Sequence, residues 1–344
     1  MALLCLAVAE IAMRYRDRPA TVVSGWRATV PDGPFNQLGY RGRPWPPRRP
    51  LDFVVVLTGA ESVECGHCPS DETLDLILER ALRPYNPNVR VIALGARGYG
   101  QDQGSLALQE YLAGGRADLV ISWISPAEDV PRNTFRSGQP LPGLTRFKPT
   151  FTLHGAELRG PTEGLGQSVY HSKLSTWFMP RIFDAGRRWN WLLPAADPGA
   201  TAAPGGIPAQ SHIDDVLEEQ RSPWSIWMRP RPARVQYGID LTRALLRRMR
   251  ELATLRGGRF TVLMNQPAAG DTPIGLEHAG HWFLADPAAR DASIAEVTEG
   301  FDQIVIAPEL NPSVDAERQR MAWLAETLNQ RNLLNNAGPA RARH

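Results

Sequence analysis

Ser62 is the residue of this chain best placed to do chemistry. The run Leu51–Leu57 (LDFVVVL) is apolar enough for a fully buried strand, and it stops at Thr58-Gly59-Ala60-Glu61-Ser62. Gly66 follows, and then an amphipathic segment. A serine in the turn between a buried strand and a helix stands exposed at the edge of a sheet. There it can attack an acyl carbon, provided a base removes its proton. Two other motifs compete for attention. Cys65-Gly66-His67-Cys68 has the spacing of a thiol redox couple, which a helix N-terminus would activate by stabilising the first thiolate. No tryptophan precedes it, Pro69 follows directly, and no thioredoxin-like arrangement surrounds it, so a structural or incidental pair is the preferred reading. Glu277-His278-Ala279-Gly280-His281 sets two histidines three apart, which helical spacing could bring onto one metal ion. Gly280 argues against a helix there, and no cysteine accompanies the pair. Neither a metal nor a cofactor is expected. His212 with Asp214 and Asp215 reads as a polar helix start.

The elements that must position Ser62 alternate. After the first strand come a helix over Thr73–Leu82, with Leu74, Ile77, Leu78, Ala81 and Leu82 on one face, and a strand over Val89–Leu94. A glycine-rich turn, Gly95 to Gly100, leads to a helix over Gln103–Leu112 and a strand over Leu119–Ile124 that ends at Ser125-Pro126-Ala127-Glu128-Asp129. Residues 130–235 are rich in Pro, Gly, Arg and Trp and read as an insertion, within which Ala195–Gln210 is of low complexity. The pattern resumes with a helix over Asp240–Leu255, stopped by Gly257-Gly258, and a strand over Phe260–Met264. A smaller insertion covers 265–300. Strand Gln303–Ile306 and helix Val314–Leu328 close the domain, and 331–344 read as a frayed polar tail. Short strands alternating with helices specify a parallel sheet covered on both faces. The organisation expected is an apolar segment at 1–18, a Pro/Arg-rich linker at 19–50, one α/β domain at 51–330 and a tail.

On these blocks the chain resembles the SGNH (GDSL-like) hydrolases, over roughly residues 35–330. It is most similar to a bacterial branch with an N-terminal membrane segment. Asn36 to Gly42 matches that branch's Asn-x-x-Gly-Phe/Tyr-Arg-Gly entry. Ala60-Glu61-Ser62-Val63-Glu64-Cys65-Gly66 aligns with the Gly-Asp-Ser-x-x-x-Gly nucleophile block. Gly98 aligns with the second-block glycine, Pro126-Ala127-Glu128-Asp129 with Gly-x-Asn-Asp, and Ala307-Pro308-Glu309-Leu310-Asn311 with the last block, Asp-x-His-(Leu/Pro)-Asn. The resemblance implies a three-layer α/β/α sandwich around a parallel sheet. It also implies an esterase, lipase or carbohydrate O-acyl hydrolase or transferase mechanism: a serine nucleophile, a histidine base, an orienting aspartate, and an oxyanion held by the serine and glycine N–H groups and an asparagine amide.

The chain departs from that chemistry at several positions. Glu309 stands at the base position, and a carboxylate is a poor acceptor for a serine proton beside an imidazole. Ala307 stands where the orienting aspartate belongs. Glu128 replaces the oxyanion amide with a group that, when ionised, has no N–H to give; losing one such donor typically costs ~10²–10³ in rate. Glu61 replaces the aspartate of the nucleophile block. If the blocks fold as the resemblance implies, Glu61, Glu128, Asp129 and Glu309 gather around Ser62. They would then bind a cation such as Ca²⁺ or Mg²⁺, bind a basic group of a partner, point to solvent, or pair with arginines such as Arg97.

Composition bounds the rest. The 344 residues carry a net charge of +2 and no Lys/Arg stripe interleaved with aromatics, which argues against nucleic acid. Three cysteines, Cys5, Cys65 and Cys68, allow one Cys65–Cys68 bridge with Cys5 left over. Met1–Met13 is apolar except for Glu10. As a helix it spans about 20 Å, short of the ~30 Å hydrocarbon core. Arg14, Arg16 and Arg18 follow, and the positive-inside rule would keep that flank cytoplasmic, in conflict with an extracytoplasmic domain. Trp177, Trp189, Trp191, Trp224 and Trp227 lie near Arg187, Arg188, Arg229 and Arg231. Tryptophan with arginine suits a membrane or membrane-protein contact, sugar stacking, or a satellite core. Two readings stay open. One is a non-catalytic, membrane-associated SGNH-like domain serving as a structural or interaction subunit, with its domain periplasmic. The other is a serine esterase or O-acyltransferase acting on acylated cell-surface carbohydrate through Ser62. Glu128, Ala307 and Glu309 favour the first.

Overall fold

Alternating side chains on four of the five strands of a parallel sheet build two cores, one on each face. The structure is a computed structural model that describes residues 5, 8, 34–45, 47, 49–134, 149–162, 209–210, 225–229, 231, 233–266, 273–278, 281–307 and 312–335. The strands are β1 (Phe53–Gly59), β2 (Val89–Gly95), β3 (Leu119–Ile124), β4 (Thr150–His154), β5 (Glu157–Thr162), β6 (Ala209–Gln210), β7 (Met228–Arg229), β8 (Arg259–Asn265), β9 (Ile274–His278), β10 (His281–Ala285) and β11 (Gln303–Ile306). The helices are α1 (Glu61–Glu64), α2 (Leu74–Leu82), α3 (Gln101–Gly114), α4 (Pro126–Asn133), α5 (Ala233–Leu255), α6 (Pro287–Thr298) and α7 (Val314–Gln330).

The central sheet runs β11-β8-β3-β1-β2, and every pairing in it is parallel. Successive side chains of a strand point to opposite faces, so a strand buried on both sides must be apolar throughout. In β1, Val54 and Val56 join the core formed with Ala107, Leu108 and Tyr111 of α3 and Ile239, Leu246 and Met249 of α5. Phe53, Val55 and Leu57 join the opposite core, with Leu74, Ile77, Leu78 and Leu82 of α2 and Met321, Leu324 and Leu328 of α7. This is the expected three-layer α/β/α sandwich.

Several boundaries depart from the sequence reading. The helix expected at Asp240 begins at Ala233, and its first turns bury Val235 and Ile239. Chain expected to lie in the 130–235 insertion belongs to the packed frame at both ends. Residues 126–133 form α4, and Ile226, Trp227 and Met228 are core. Between them, β4 and β5 form a hairpin whose Phe151 packs on Leu241 and Leu245 of α5. In the 265–300 insertion, α6 sends Ile294 and Val297 into the core under α5, its N-terminus capped by Asp286. His278 and His281 are partners across the β9–β10 hairpin, so the helical spacing that a shared metal would have used is not present. The tail begins by folding back: Leu334 is buried, and the Arg259 guanidinium donates to the carbonyls of Asn332, Leu333 and Asn335.

Close backbone approach sets where Ser62 stands. A Cβ on Gly95 would lie 2.5 Å from Val63 Cβ and 2.8 Å from the Gly59 carbonyl, and one on Gly59 would lie 2.6 Å from Val63 Cγ2. Two strand-end glycines thus let α1 settle onto β1 and β2, with Val63 as the wedge between them. Gly95→Ala is expected to destabilise the domain by ~1–3 kcal/mol through overpacking, measured by urea unfolding. Wild-type stability would show that α1 is not held this tightly.

Candidate functional site

The strand order locates a ligand site without reference to any motif. In a doubly wound sheet, crevices form at the carboxyl ends of strands where the winding reverses direction. Here the chain passes from β1 outward to β2, then crosses to the other side of β1 for β3. The crevice predicted between the ends of β1 and β3 is present as a cleft of about 260 Å³ lined by Ala60, Glu61, Ser62, Trp123, Ser125, Glu128, Asp129, Arg132 and Asn265. It lies between the residues following β1, those following β3, and the last residue of β8.

Asn265 organises one wall. Its side-chain oxygen accepts from Trp123 Nε1 at 2.8 Å and from Arg320 at 3.2 Å. Those two donors fix the amide plane and turn its nitrogen toward the cleft. That nitrogen donates to Ser125 Oγ at 3.0 Å and reaches Ser62 Oγ at 3.4 Å. Arg320 is held in turn by Glu317 at 2.7 Å and lies over the Trp123 ring, 5.1 Å from its centroid. Sequence reasoning missed Asn265 because it ended the strand one residue early. The available signal was a polar residue closing a buried strand, the same signal that singled out Ser62.

Arg132 organises the other wall. Its guanidinium donates to both oxygens of Glu61, at 2.8 and 3.1 Å, and to Glu128 at 2.8 Å. It also stands 3.5 Å from Asp129 Oδ1. Glu61, Glu128 and Asp129 do gather beside Ser62 as the sequence suggested, but an arginine of the same chain sits among them where a cation or a partner's basic group was envisaged. The arginine is not Arg97, whose backbone N–H donates to Glu64. Asp129 is fully buried; its Oδ2 accepts from Ser125 N and Gln101 Nε2, both at 2.8 Å. Burial pushes the Asp129 carboxyl up to about 7, and the nearby Arg132 charge and these hydrogen bonds only partly offset that. Burial works against the charge of Arg132, but Asp129, Glu61 and Glu128 together raise its pKa above the ordinary arginine value.

The residues that the sequence suggested as oxyanion donors make contacts within the chain. Gly98 has φ +75°, and its N–H donates to Glu61 Oε1 at 3.0 Å. Glu128, at the asparagine position, lies in the first turn of α4 and is taken up by Arg132. Ala307 is exposed just past β11, and Glu309 lies outside the described residues. Trp177, Trp189, Trp191 and Trp224 also lie outside them. Trp227, expected at a partner or membrane surface, is instead 8% exposed, with the Arg290 guanidinium 4.5 Å from its ring centroid. Its five-membered run from Ser225 to Arg229 is pinned by Ser293, whose hydroxyl donates to the Ile226 carbonyl. Cys65 and Cys68 form a disulfide, and Cys5 is free.

The Asp129 carboxyl gives a pH signature. Its folded pKa, about 7, lies above the ordinary value of 3.8, so the native state holds a proton that the unfolded chain has lost. The stability this contributes is fully present below about pH 4 and is lost as pH rises through about 7. Asp129→Asn cannot titrate. Its stability relative to wild type should therefore climb between pH 4 and 7, by an amount on the order of a few kcal/mol, and level off above. Urea unfolding of both proteins at pH 5 and pH 8 measures this; a difference that is flat or falls with pH would refute it.

No family model matches the chain, and no curated protein matches it. Solved structures do. AlinE4, an SGNH-hydrolase family esterase, matches at 22% identity and TM-score 0.21, over 25% of this chain and 51% of that one. A carbohydrate acetylesterase family member from Sinorhizobium meliloti matches at 15% identity and TM-score 0.18, over 22% and 41%. The chain thus spans about half the length of these two or less. A protein described as a GDSL-like lipase, from Parabacteroides merdae, matches at 11% identity and TM-score 0.32, over 82% and 96%. The chain is similar to SGNH and GDSL-like hydrolases, and its own five-stranded parallel sheet, with helices on both faces, has the architecture that its sequence motifs imply.

Proposed function

We propose that this chain is a non-catalytic SGNH-hydrolase-like domain that acts as a structural or interaction subunit. The observation that carries this reading is the contact of Glu61 with the Gly98 N–H. An acyl-transfer site must keep that donor available for charge that develops only in the transition state. Here a carboxylate locked bidentately to Arg132 already holds it, and an oxyanion forming beside Glu61 and Glu128 would face two negative groups. Ser62 also has no base among its hydrogen-bond partners in the described residues, where its hydroxyl meets only the Asn265 amide. A fluorophosphonate probe should leave Ser62 unlabelled, and Ser62→Ala should not change the turnover of short acyl esters by the purified protein. Labelling at Ser62, or activity lost in that variant, would reverse the reading.

One observation favours the second reading, a serine esterase or O-acyltransferase acting on acylated carbohydrate. The Asn265 amide, at the end of β8, offers the kind of donor that Glu128 cannot, and it does so at Ser62. The same labelling experiment separates the two.

Membrane association belongs to the proposal as well. It is supported by the apolar segment Met1–Met13 and by the Trp/Arg-rich stretch; the extracytoplasmic side is proposed against the positive-inside signal of Arg14, Arg16 and Arg18. Among the described residues no helix is long and apolar enough to cross a membrane. Because Ser225–Arg229 is part of the packed frame, the deletion that tests the stretch should end before it. Removing residues 177–224 from the full chain is expected to reduce recovery in pull-downs from solubilised membranes while the domain stays folded. Unchanged recovery would contradict a docking role for those tryptophans.

A further inference from the structure

We infer that Cys65, His67, Cys68 and Glu317 form a divalent-metal site, of the kind zinc takes, when the two cysteines are reduced. Cys65 Sγ, a ring nitrogen of His67 and Cys68 Sγ all lie within 4.8 Å of one another. His67 Nε2 stands 3.5 Å from Cys65 Sγ and 3.8 Å from Glu317 Oε1. One ring nitrogen thus faces both a sulfur and a carboxylate oxygen. With Zn–S near 2.3 Å and Zn–N and Zn–O near 2.0–2.2 Å, a tetrahedral site has N···S edges of about 3.6 Å and N···O edges of about 3.4 Å. The spacings found are within a few tenths of an ångström of those edges, and the set of two thiolates, an imidazole and a carboxylate suits zinc.

The surroundings hold the loop in place. The Cys68 N–H donates to the Cys65 carbonyl at 2.9 Å, and Cys65 adopts a left-handed backbone at φ +47°. The Arg41 guanidinium donates to the carbonyls of Gly66 and Cys68, tying the loop to the Asn36–Gly42 turn. Glu317 is fixed by Arg320, and both lie on α7, a long helix of the core. Accessibility separates this reading from thiol–disulfide exchange with protein substrates. Both cysteines are buried, at 0% and 2% exposure, while the His67 side chain reaches solvent. An ion can enter past an imidazole; the thiol of another polypeptide needs an open path to a sulfur.

The structure holds the oxidised pair, a disulfide. A phosphine reductant, with water, converts it to two thiols and is itself oxidised to the phosphine oxide. Binding the ion then displaces two thiol protons to solvent. The site is independent of Ser62 and of whether the cleft is catalytic.

The test is cobalt titration of the full chain, kept in a phosphine. One equivalent should produce a thiolate-to-cobalt charge-transfer band with the visible bands of a tetrahedral ion, and zinc should displace it. The diamide-oxidised protein should show neither. His67→Gln, which alters a solvent-reaching ring and not the core, should weaken cobalt binding ten-fold or more, and Glu317→Gln should do likewise if circular dichroism shows it folded. Reduced wild type without the band would overturn the site. So would undiminished affinity in His67→Gln, which would leave only a two-thiolate adventitious contact.

Discussion

The cleft beside Ser62 depends on one partly buried cation. Arg132 joins Glu61 from the β1–α1 turn to Glu128 and Asp129 from its own helix, and so ties together the two strand ends between which the crevice opens. Taking such a cation away from partners that stay charged typically costs ~3–5 kcal/mol when the pair is fully buried. The cost here is smaller than that, because Glu61 and Glu128 are partly exposed and the Asp129 carboxyl, raised to about 7 chiefly by its burial, can take up a proton instead. Its Oδ1 stands 3.5 Å from the guanidinium.

The same cation decides what the Gly98 N–H can do. A free glutamate at position 61 could swing into solvent and leave that donor open. Held by two hydrogen bonds to Arg132, the carboxylate is aimed at Gly98 instead. Glu64, one turn along, accepts from the neighbouring Arg97 N–H. The glycine-rich turn after β2 is therefore clamped by the short helix that carries Ser62. The Arg97 and Gly98 N–H groups thus help to hold two loops together.

The frame was legible in the sequence because its signals are local. Leu119–Ile124 appears as a strand with the expected ends, since a strand covered on both faces can hardly be anything but apolar; Gln303–Ile306, at the sheet edge, also keeps its expected ends, with Ile304 and Ile306 buried and Val305 exposed. Ser62 was legible for the same reason, as the polar residue at the end of such a run. The partners that give the cleft its character were not. Arg132 meets Glu61 across 71 positions, and Asn265 meets Ser62 across 203. Both lay in or beside stretches read as insertions: Arg132 sits on α4, a helix that the sequence reading did not assign, and Asn265 closes β8, which runs one residue past its expected end. Trp227 shows the converse: its neighbourhood of tryptophan and arginine read as a contact surface, but the arginine stacked on it, Arg290, comes from α6 and closes a core.

Frame and chemistry can separate in this architecture because they occupy different parts of each strand. The middle of β1 is enclosed by two cores, and the end glycines, Gly59 and Gly95, admit no Cβ without displacing Val63 or backbone. Change there would be felt through the whole sheet. The residues beyond the strand ends carry no such load. Glu128 is about half exposed, and Ala307 is exposed. Substitution at such exposed positions is therefore felt less by the fold than substitution at the strand-end glycines. Glu61 is different, because its carboxylate satisfies the Gly98 N–H and, paired with Arg132, holds the crevice walls in register.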